Sequence, residues 1–198
     1  MTTKHIVLKE EIAAYCKARG MKEGGVEIDE LLTINDKVVV LEKIKHNAWA
    51  LAYASEELKR DKEFILEAIK YNFYILEYIS EELKRDKEFV LEAIKYSAWA
   101  LAFASEELKG DKEFILEAIK YNPYVLEYTH MEINDDKEIV LEAVKNDGDV
   151  FCFASDSLRN DKEVVLEAVK NKSYNLIFAS DSLKEDREVI LEAAKKNP

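Results

Sequence analysis

Aspartate returns every 25 residues along most of this chain, and each one opens a near-copy of the phrase D-K-E-h-h-L-E-A-h-K, in which h is apolar. These aspartates are Asp36, Asp61, Asp86, Asp111, Asp136, Asp161 and Asp186. A fixed period of this length indicates stacked supersecondary units, because no single unit can bury its own apolar face. Counting each aspartate as position 1, we predict a repeat array over residues 36–198, whose units start at these seven positions.

The unit from Asp61 to Arg85 shows how one copy is expected to fold. The Asp61 side chain can accept hydrogen bonds from the free amides of a first helical turn, which predicts a helix beginning at Lys62. On a helical wheel, Leu66 lies at the edge of one broad apolar arc. That arc consists of Phe64, Ile65, Ala68 and Ile69. A second helix of about two turns is predicted over residues 73–79, after which Ser80 caps a single turn.

The second element has an alternative interpretation as a β-strand. Residues 98–104 alternate alanine with larger apolar residues, and the period lies within the range of leucine-rich repeats. Helix is favoured because alanine is poor in strands and is the best helix former, and because the leucine-rich-repeat phrase L-x-x-L-x-L-x-x-N is missing. The predicted fold class is all-α, an α-solenoid of about seven 25-residue helical repeats. The first helices should form its outer wall, and the second helices should be buried or line the concave side.

Two positions of the unit keep the same kind of apolar residue throughout, which predicts packing ladders in the core. Position 6 is always leucine: Leu41, Leu66, Leu91, Leu116, Leu141, Leu166 and Leu191. Position 18 is always aromatic: Tyr53, Tyr78, Phe103, Tyr128, Phe153 and Phe178.

The charge and cysteine content exclude several classes of protein. A formal net charge of −12 argues against direct nucleic-acid binding, which needs clustered Lys and Arg, but it leaves a partner protein with a basic surface open. Cys16 and Cys152 lie far apart and have no ligand-spaced partners, so neither a disulfide framework nor a metal site is indicated. No apolar run is long enough to span a bilayer, and residues 1–9 lack the apolar core of a secretory signal. The expected location is a reducing cytoplasm, or a host cytosol if the protein is delivered as an effector.

A family likeness rests on the phrase D-K-E-F-V-L-E-A-I-K and the following A-L-A-F-A-S-E-E-L-K. These segments resemble the repeats of domain of unknown function 4116, and the likeness covers Asp36 to about Lys195. The resemblance implies the repeat architecture and no activity, cofactor or catalytic residue. Residues 1–35 depart from the pattern. Apolar residues at helical spacing between His5 and Arg19, with Gly20 placed to end a helix, predict an N-terminal helical cap there.

Aromatic residues near the end of the first helix are the first candidate binding surface. Tyr71, Tyr96 and Tyr121 occupy position 11 of three consecutive units, and Trp49 and Trp99 at position 14 lie close by. Stacking the units would align them, and exposed Tyr and Trp are typical of protein interfaces. The alternatives stay open. The tryptophans can simply pack between helices, and the tyrosines can be surface decoration.

Paired acids are the second candidate surface, and they also align from unit to unit. These acids are Glu56, Glu57, Glu81, Glu82, Glu106 and Glu107. Such a stripe could engage a basic groove on a partner protein, even as a mimic of nucleic acid. The alternative is that they are acids at helix starts, where the helix dipole favours negative charge and the charge aids solubility.

The least regular stretch, residues 128–152, is the third candidate. A polar site could gather His130, Asp147, Asp149 and Cys152, and a hydrolase centred on His130 and Asp149 is one hypothesis. No metal-binding or nucleophile motif supports it, and drift or a local bend of the array would produce the same irregularity.

These observations favour a non-catalytic, cofactor-free scaffold for protein–protein interaction that is monomeric or weakly self-associating. The alternative function is a small acidic inhibitor that occupies the basic channel of a nucleic-acid-processing protein.

Overall fold

The computed structural model describes residues 36–195, and each complete unit in that range contains three helical elements. The long α-helices are Lys37–Ile44, Lys62–Ala68, Lys87–Tyr96, Lys112–Tyr121, Lys137–Asn146, Lys162–Asn171 and Arg187–Ala194. The 3-10 helices are Ala48–Ala50, Phe73–Tyr78, Ala98–Phe103, Pro123–Tyr128, Gly148–Phe153 and Ser173–Phe178. The short α-helices are Glu56–Arg60, Glu81–Arg85, Glu106–Lys109, Met131–Asn134, Asp156–Arg159 and Asp181–Lys184. Residues 36–195 contain no β-strand, so the all-α repeat solenoid is confirmed. The N-terminal cap expected over residues 1–35 lies outside the described residues.

The position-1 aspartate begins each long helix and, from Asp61 onward, also ties it to the preceding unit. Asp111 Oδ1 accepts a hydrogen bond from the Phe114 N–H at 3.0 Å, while its Oδ2 lies 2.6 Å from Lys87 Nζ one unit earlier. The same Lys–Asp pair recurs at all six junctions between described units, with distances from 2.5 to 2.9 Å. One side chain therefore sets both the helix boundary and the register of the stack.

The second element of the unit is a 3-10 helix of two turns rather than an α-helix. In the second unit, Asn72 Oδ1 accepts the Tyr74 N–H at 3.2 Å and caps its start. Ser80 then caps the short α-helix as predicted, because its Oγ accepts the Leu83 N–H at 3.4 Å. The Ser80 N–H donates to the Lys59 carbonyl of the preceding unit, which adds a backbone link between units.

The core lies between the long helices and the inner side of the 3-10 helices. In the second unit, the predicted arc of the long helix is buried, and Ile75 and Leu76 close the core from the 3-10 helix. Positions 14 and 17, which are one turn apart on a 3-10 helix, face outward.

The leucine ladder at position 6 packs against the core from the edge of the apolar arc, and it is less buried than the sequence led us to expect. The first six of these leucines are only half-buried against the core, and Leu191 is 55% exposed. Position 6 lies at the edge of the apolar arc, so the β-branched residues at positions 5 and 9 take the centre. The aromatic residues at position 18 are likewise half-buried.

Side-chain size at positions 13, 15 and 19 alternates between consecutive 3-10 segments in the first four units. The first and third units place alanine at positions 13, 15 and 19, as in Ala98, Ala100 and Ala104. The second unit has Phe73, Ile75 and Ile79 at these positions. Small and large residues thus alternate along the stack, which lets neighbouring 3-10 helices fill shared space.

Candidate protein-binding surface

The three position-11 tyrosines lie at the exposed ends of consecutive long helices. Tyr71, Tyr96 and Tyr121 are 51%, 50% and 48% exposed. Each ring is covered on one side by the position-10 lysine of the preceding unit. The Nζ-to-centroid distances are 4.9 Å for Lys45–Tyr71, 5.6 Å for Lys70–Tyr96 and 4.7 Å for Lys95–Tyr121. Each exposed contact of this kind contributes about 0.5–1 kcal/mol, so the ladder also helps to hold the units together.

Two lysines of this ladder, Lys45 and Lys95, also pair with a carboxylate three residues earlier in the chain. Lys45 Nζ lies 2.5 Å from Glu42 Oε1, and Lys95 pairs with Glu92 in the same way. These hydrogen bonds raise the pKa of both lysines. An acid thus offsets the charge of two of the three lysines, and the half-exposed tyrosine rings are the part of the ladder that a partner can contact.

The position-14 aromatics extend this surface along the outward side of the 3-10 helices. Trp49 is 42% exposed and Tyr74 is 62% exposed, whereas Trp99 is half-buried. The Trp99 ring packs edge-on against Tyr74 at 4.8 Å and against Phe103 at 4.9 Å. The packing interpretation therefore fits Trp99, while Trp49 and Tyr74 present ring area to solvent. We call the set the aromatic surface: Trp49, Tyr71, Tyr74, Tyr96, Trp99 and Tyr121.

The paired acids are exposed, and basic neighbours neutralise most of them. Glu56, Glu81 and Glu106 each form an ion pair with the lysine three residues later, at 2.7 to 2.8 Å. The hydrogen bond from that lysine lowers the pKa of each of these three glutamates. Glu82 pairs with Arg60 of the preceding unit at 2.9 Å. Glu57 and Glu107 complete the aligned set and are also exposed. The stripe is thus less negative than its sequence suggests.

The irregular stretch does not assemble the predicted four-residue site. His130 Nε2 lies 3.0 Å from Glu106 Oε2, in a contact with the preceding unit that involves none of the other three residues. Cys152 Sγ donates to the Asp149 carbonyl at 3.2 Å, and burial raises the pKa of the thiol, which disfavours a reactive thiolate. Within residues 36–195, no three His, Cys, Asp or Glu side chains converge as a metal site would require.

Asp147 and Asp149 instead belong to a network centred on Lys172. Lys172 Nζ lies 2.9 Å from Asp147 Oδ1 and 2.5 Å from Asp149 Oδ2, and both contacts raise the lysine pKa. Tyr124 donates to Asp149 Oδ2 at 3.4 Å, and Tyr174 donates to Asp149 Oδ1. Asp149 replaces an aromatic ring at position 14 and links the tyrosines on either side of it. The network joins three consecutive units through polar contacts where the earlier units use aromatic ones.

Gly148 and Asn175 are part of the same coordinated change. Asn175 is fully buried, and its Nδ2 donates to the Gly148 carbonyl at 2.8 Å and to the Ala168 carbonyl at 3.2 Å. A Cβ atom on residue 148 would lie 2.8 Å from that same Nδ2, so glycine is required where other units carry larger residues. The irregular residues of this stretch therefore meet in one packed polar network. The sequence signal that would have found it is the joint departure of neighbouring units at positions 12 to 15.

Comparison with known proteins supports this repeat architecture. The family model described as "Domain of unknown function (DUF4116)" matches residues 36–84, 86–134, 136–182 and 161–198. The chain belongs to the DUF4116 family. Each of the first three matches spans two of the 25-residue units, so the DUF4116 repeat corresponds to a pair of units. No curated protein and no solved structure matches the chain. Among residues 36–195, none of the helices of this DUF4116 protein has the length and apolar character needed to cross a bilayer.

Proposed function

We propose that this DUF4116 protein is a non-catalytic scaffold that binds another protein through the aromatic surface. The observation that carries the proposal is the alignment of half-exposed tyrosine rings on consecutive units, beside the projecting Trp49 and Tyr74 rings. Tyr and Trp supply large contact areas at a low cost in side-chain entropy, and they are enriched in interface hot spots. In this proposal the protein binds its partner in a reducing cytosol. The binding involves no cofactor, no membrane and no direct contact with nucleic acid.

A pull-down with a matched control tests the proposal. The immobilised full-length chain is exposed to a lysate of its source organism as the wild type, as the triple variant Tyr71→Ser, Tyr96→Ser, Tyr121→Ser, and as a control. The control carries Glu63→Ser, Glu88→Ser and Glu113→Ser, which change three exposed residues at position 3 of the same units.

We expect proteins that bind the wild type and the control to be lost from the tyrosine variant. Melting curves of all three proteins verify that the loss does not come from unfolding. Retention of every bound protein by the tyrosine variant would rule out the position-11 ladder as the binding surface.

The acidic inhibitor of a nucleic-acid-processing protein is the second candidate, supported by the net charge of −12 and the aligned acids. The ion pairs of Glu56, Glu81, Glu82 and Glu106 make it the weaker proposal. The dependence of partner affinity on salt concentration distinguishes the scaffold from the acidic inhibitor. Partner affinity of an acidic mimic falls steeply as ionic strength rises, whereas an interface built on neutral aromatic rings changes little.

A further inference from the structure

Small and acidic residues alternate on the outward side of the 3-10 segments, at position 17 of the first four units. These residues are Ala52, Glu77, Ala102 and Glu127. Position 14 is aromatic in the same four units and lies one 3-10 turn earlier, so the two positions share one side. Both glutamates are exposed. Glu77 therefore lies beside Tyr74 of the aromatic surface, and Glu127 lies beside Tyr124 of the fourth unit.

The two glutamates of position 17 form no ion pair with any residue between 36 and 195, unlike most acids of the short helices. Lys84 lines the same cleft as Glu77, but Glu81 holds its Nζ at 2.7 Å. In the fourth unit, Asn134 takes the position of Lys84 and carries no charge. The described part of the chain thus supplies no cation to Glu77 or to Glu127.

Each of these glutamates is followed by a tyrosine that stays neutral. Burial raises the pKa of Tyr78 and of Tyr128, and the adjacent Glu77 or Glu127 raises it further. A neutral hydroxyl group can donate a hydrogen bond to a carboxylate, but it does not offset the negative charge. Both negative charges therefore remain for another molecule to meet.

The fifth unit shows what covers an acid on this outward side. Asp149 occupies position 14 there, and Lys172 at position 12 of the next unit places its Nζ 2.5 Å from Asp149 Oδ2. In the units that follow the two glutamates, position 12 holds Ser97 and Asp147, which carry no positive charge. A cation that covers either glutamate in the same way has to come from a partner.

The surroundings of Glu77 suit a long basic side chain. An open cleft of about 540 Å³ lies between the second and third units, and Glu77, Ala102 and Phe103 are among its lining residues. Four glutamates and three cations line this cleft, so its net charge is negative. The head group of a lysine or arginine can pair with Glu77 while its apolar stem lies on Ala102 and Phe103.

We propose that the partner of this protein presents a segment with two basic side chains, one for Glu77 and one for Glu127, across the Trp99 ring between them. This inference rests on the proposed scaffold function and gives the chemistry of the partner. The two glutamates lie two units apart, which is about 16–20 Å for helices packed 8–10 Å apart. An extended chain covers that distance in about five or six residues, which sets the spacing of the two basic residues.

A titration of the full-length chain with synthetic peptides tests the sign of the partner's charge. Trp49 and Trp99 are the two tryptophans of the chain and both belong to the aromatic surface, so their indole N–H signals in ¹⁵N-labelled protein report on it directly. The probe is a twelve-residue peptide of glycine and serine with a central leucine and two arginines six residues apart. We expect it to shift the Trp99 signal in a saturable way, whereas the same peptide with glutamate in place of both arginines leaves that signal unchanged.

The double variant Glu77→Gln, Glu127→Gln assigns the binding to these two carboxylates. We expect it to weaken the dissociation constant of the arginine peptide about tenfold, because two exposed charge pairs are lost. Its matched control is Glu63→Gln, Glu113→Gln, which changes two exposed residues of the same units and alters the net charge equally. The control should bind the peptide like the wild type.

Three results would overturn the proposal of a basic segment. The arginine peptide leaves both indole signals unchanged at millimolar concentration, or the glutamate peptide shifts them equally, or the control loses as much affinity as the double variant. The last result would show that the net charge alone attracts the peptide. The pull-down with the tyrosine variant tests the scaffold function separately. If that variant loses bound proteins and the arginine peptide does not bind, the scaffold function stands and the basic segment is excluded.

Discussion

At the residue scale, one aspartate carboxylate serves two partners at each junction between described units. For Asp111, Lys87 donates to one oxygen and the Phe114 N–H donates to the other, and together these contacts lower the carboxyl pKa. Lys37 and the Phe64 N–H act on Asp61 in the same way. The folded state therefore holds these carboxylates in their charged form more strongly than the unfolded chain does.

Stability should consequently depend on pH in the acid range. The folded pKa of Asp111 lies below its ordinary value of 3.8, so the charged carboxylate contributes its full stability above pH 3.8. This contribution is lost as the pH falls through the folded pKa. We expect the urea midpoint to change little down to about pH 5 and to fall below it, since carboxylates protonate there. Urea unfolding across a pH series measures this.

Asp111→Asn is the control variant, because an amide keeps an oxygen for the cap and has no charge to lose. Its midpoint should lie below that of the wild type at neutral pH, and the gap should close as pH falls. A gap that stays constant at all pH values would show that the charge of Asp111 contributes nothing to stability.

Gly148 shows how a single residue depends on a tertiary neighbour. We expect Gly148→Ala to destabilise the array by about 1–3 kcal/mol, the usual range for overpacking a core, because the new Cβ would lie 2.8 Å from buried Asn175 Nδ2. Gly110→Ala is the matched control. Its Cβ would meet the partly exposed His130 ring at 2.9 Å, and that ring can move away. Thermal melting should therefore show the larger loss for Gly148→Ala, and equal losses would contradict the packing account.

At the scale of elements, the long helices were predictable and the nature of the second helix was not. The Asp caps and the apolar arc correctly placed the start of Lys62–Ala68 and its buried face. Apolar residues at nearly every position of residues 98–104 indicated burial but could not distinguish α from 3-10 geometry. The choice between the two geometries depends on the side-chain cap at the start of the segment, where Ser97 accepts the Trp99 N–H. It also depends on contacts with the two neighbouring units, whose residues lie far from the segment in sequence.

The long helix Lys112–Tyr121 contains a direct test of which positions form the core. Ile119 at position 9 is completely buried, whereas Leu116 at position 6 is half-buried. We expect Ile119→Ala to cost about 2–5 kcal/mol, the range for a fully buried side chain, and Leu116→Ala to cost less. Chemical denaturation of the two variants measures the difference. If Leu116→Ala lost more unfolding free energy than Ile119→Ala, position 6 and not position 9 would be the centre of the core.

At the scale of the whole molecule, the structural unit is 25 residues and the family repeat is twice that length. The family matches over residues 36–84 and 86–134 each contain one segment with alanine at positions 13, 15 and 19 and one with larger residues there. The larger residues are Phe73, Ile75 and Ile79 in the first match and Pro123, Val125 and Thr129 in the second. Small residues such as Ala50 and Ala100 lie on either side of the unit that contains Ile75. A pair of units is therefore the smallest piece that preserves this alternation.

Two deletions test whether a pair of units is the smallest piece that preserves the alternation of small and large residues. One of them keeps this alternation and the other removes it. Removing residues 61–85 places the two alanine-rich units side by side and leaves unfilled space, whereas removing residues 61–110 joins an alanine-rich unit to a larger one. We expect the longer deletion to melt at a higher temperature, although it lacks one more unit, because cavities are costly. If stability simply tracks the number of units, the shorter deletion will melt at the higher temperature.

The period could be read directly from the recurrence of the phrase. The helical class, the helix starts and the apolar face of each long helix could also be read from the sequence alone, because they depend on residues within one unit. Contacts between residues one or more units apart became visible only in the folded chain, among them the lysine cover on each tyrosine and the pairing of Lys172 with Asp147 and Asp149. Periodicity specifies which side of a helix turns inward, but it does not specify which side chain of the neighbouring unit meets it there.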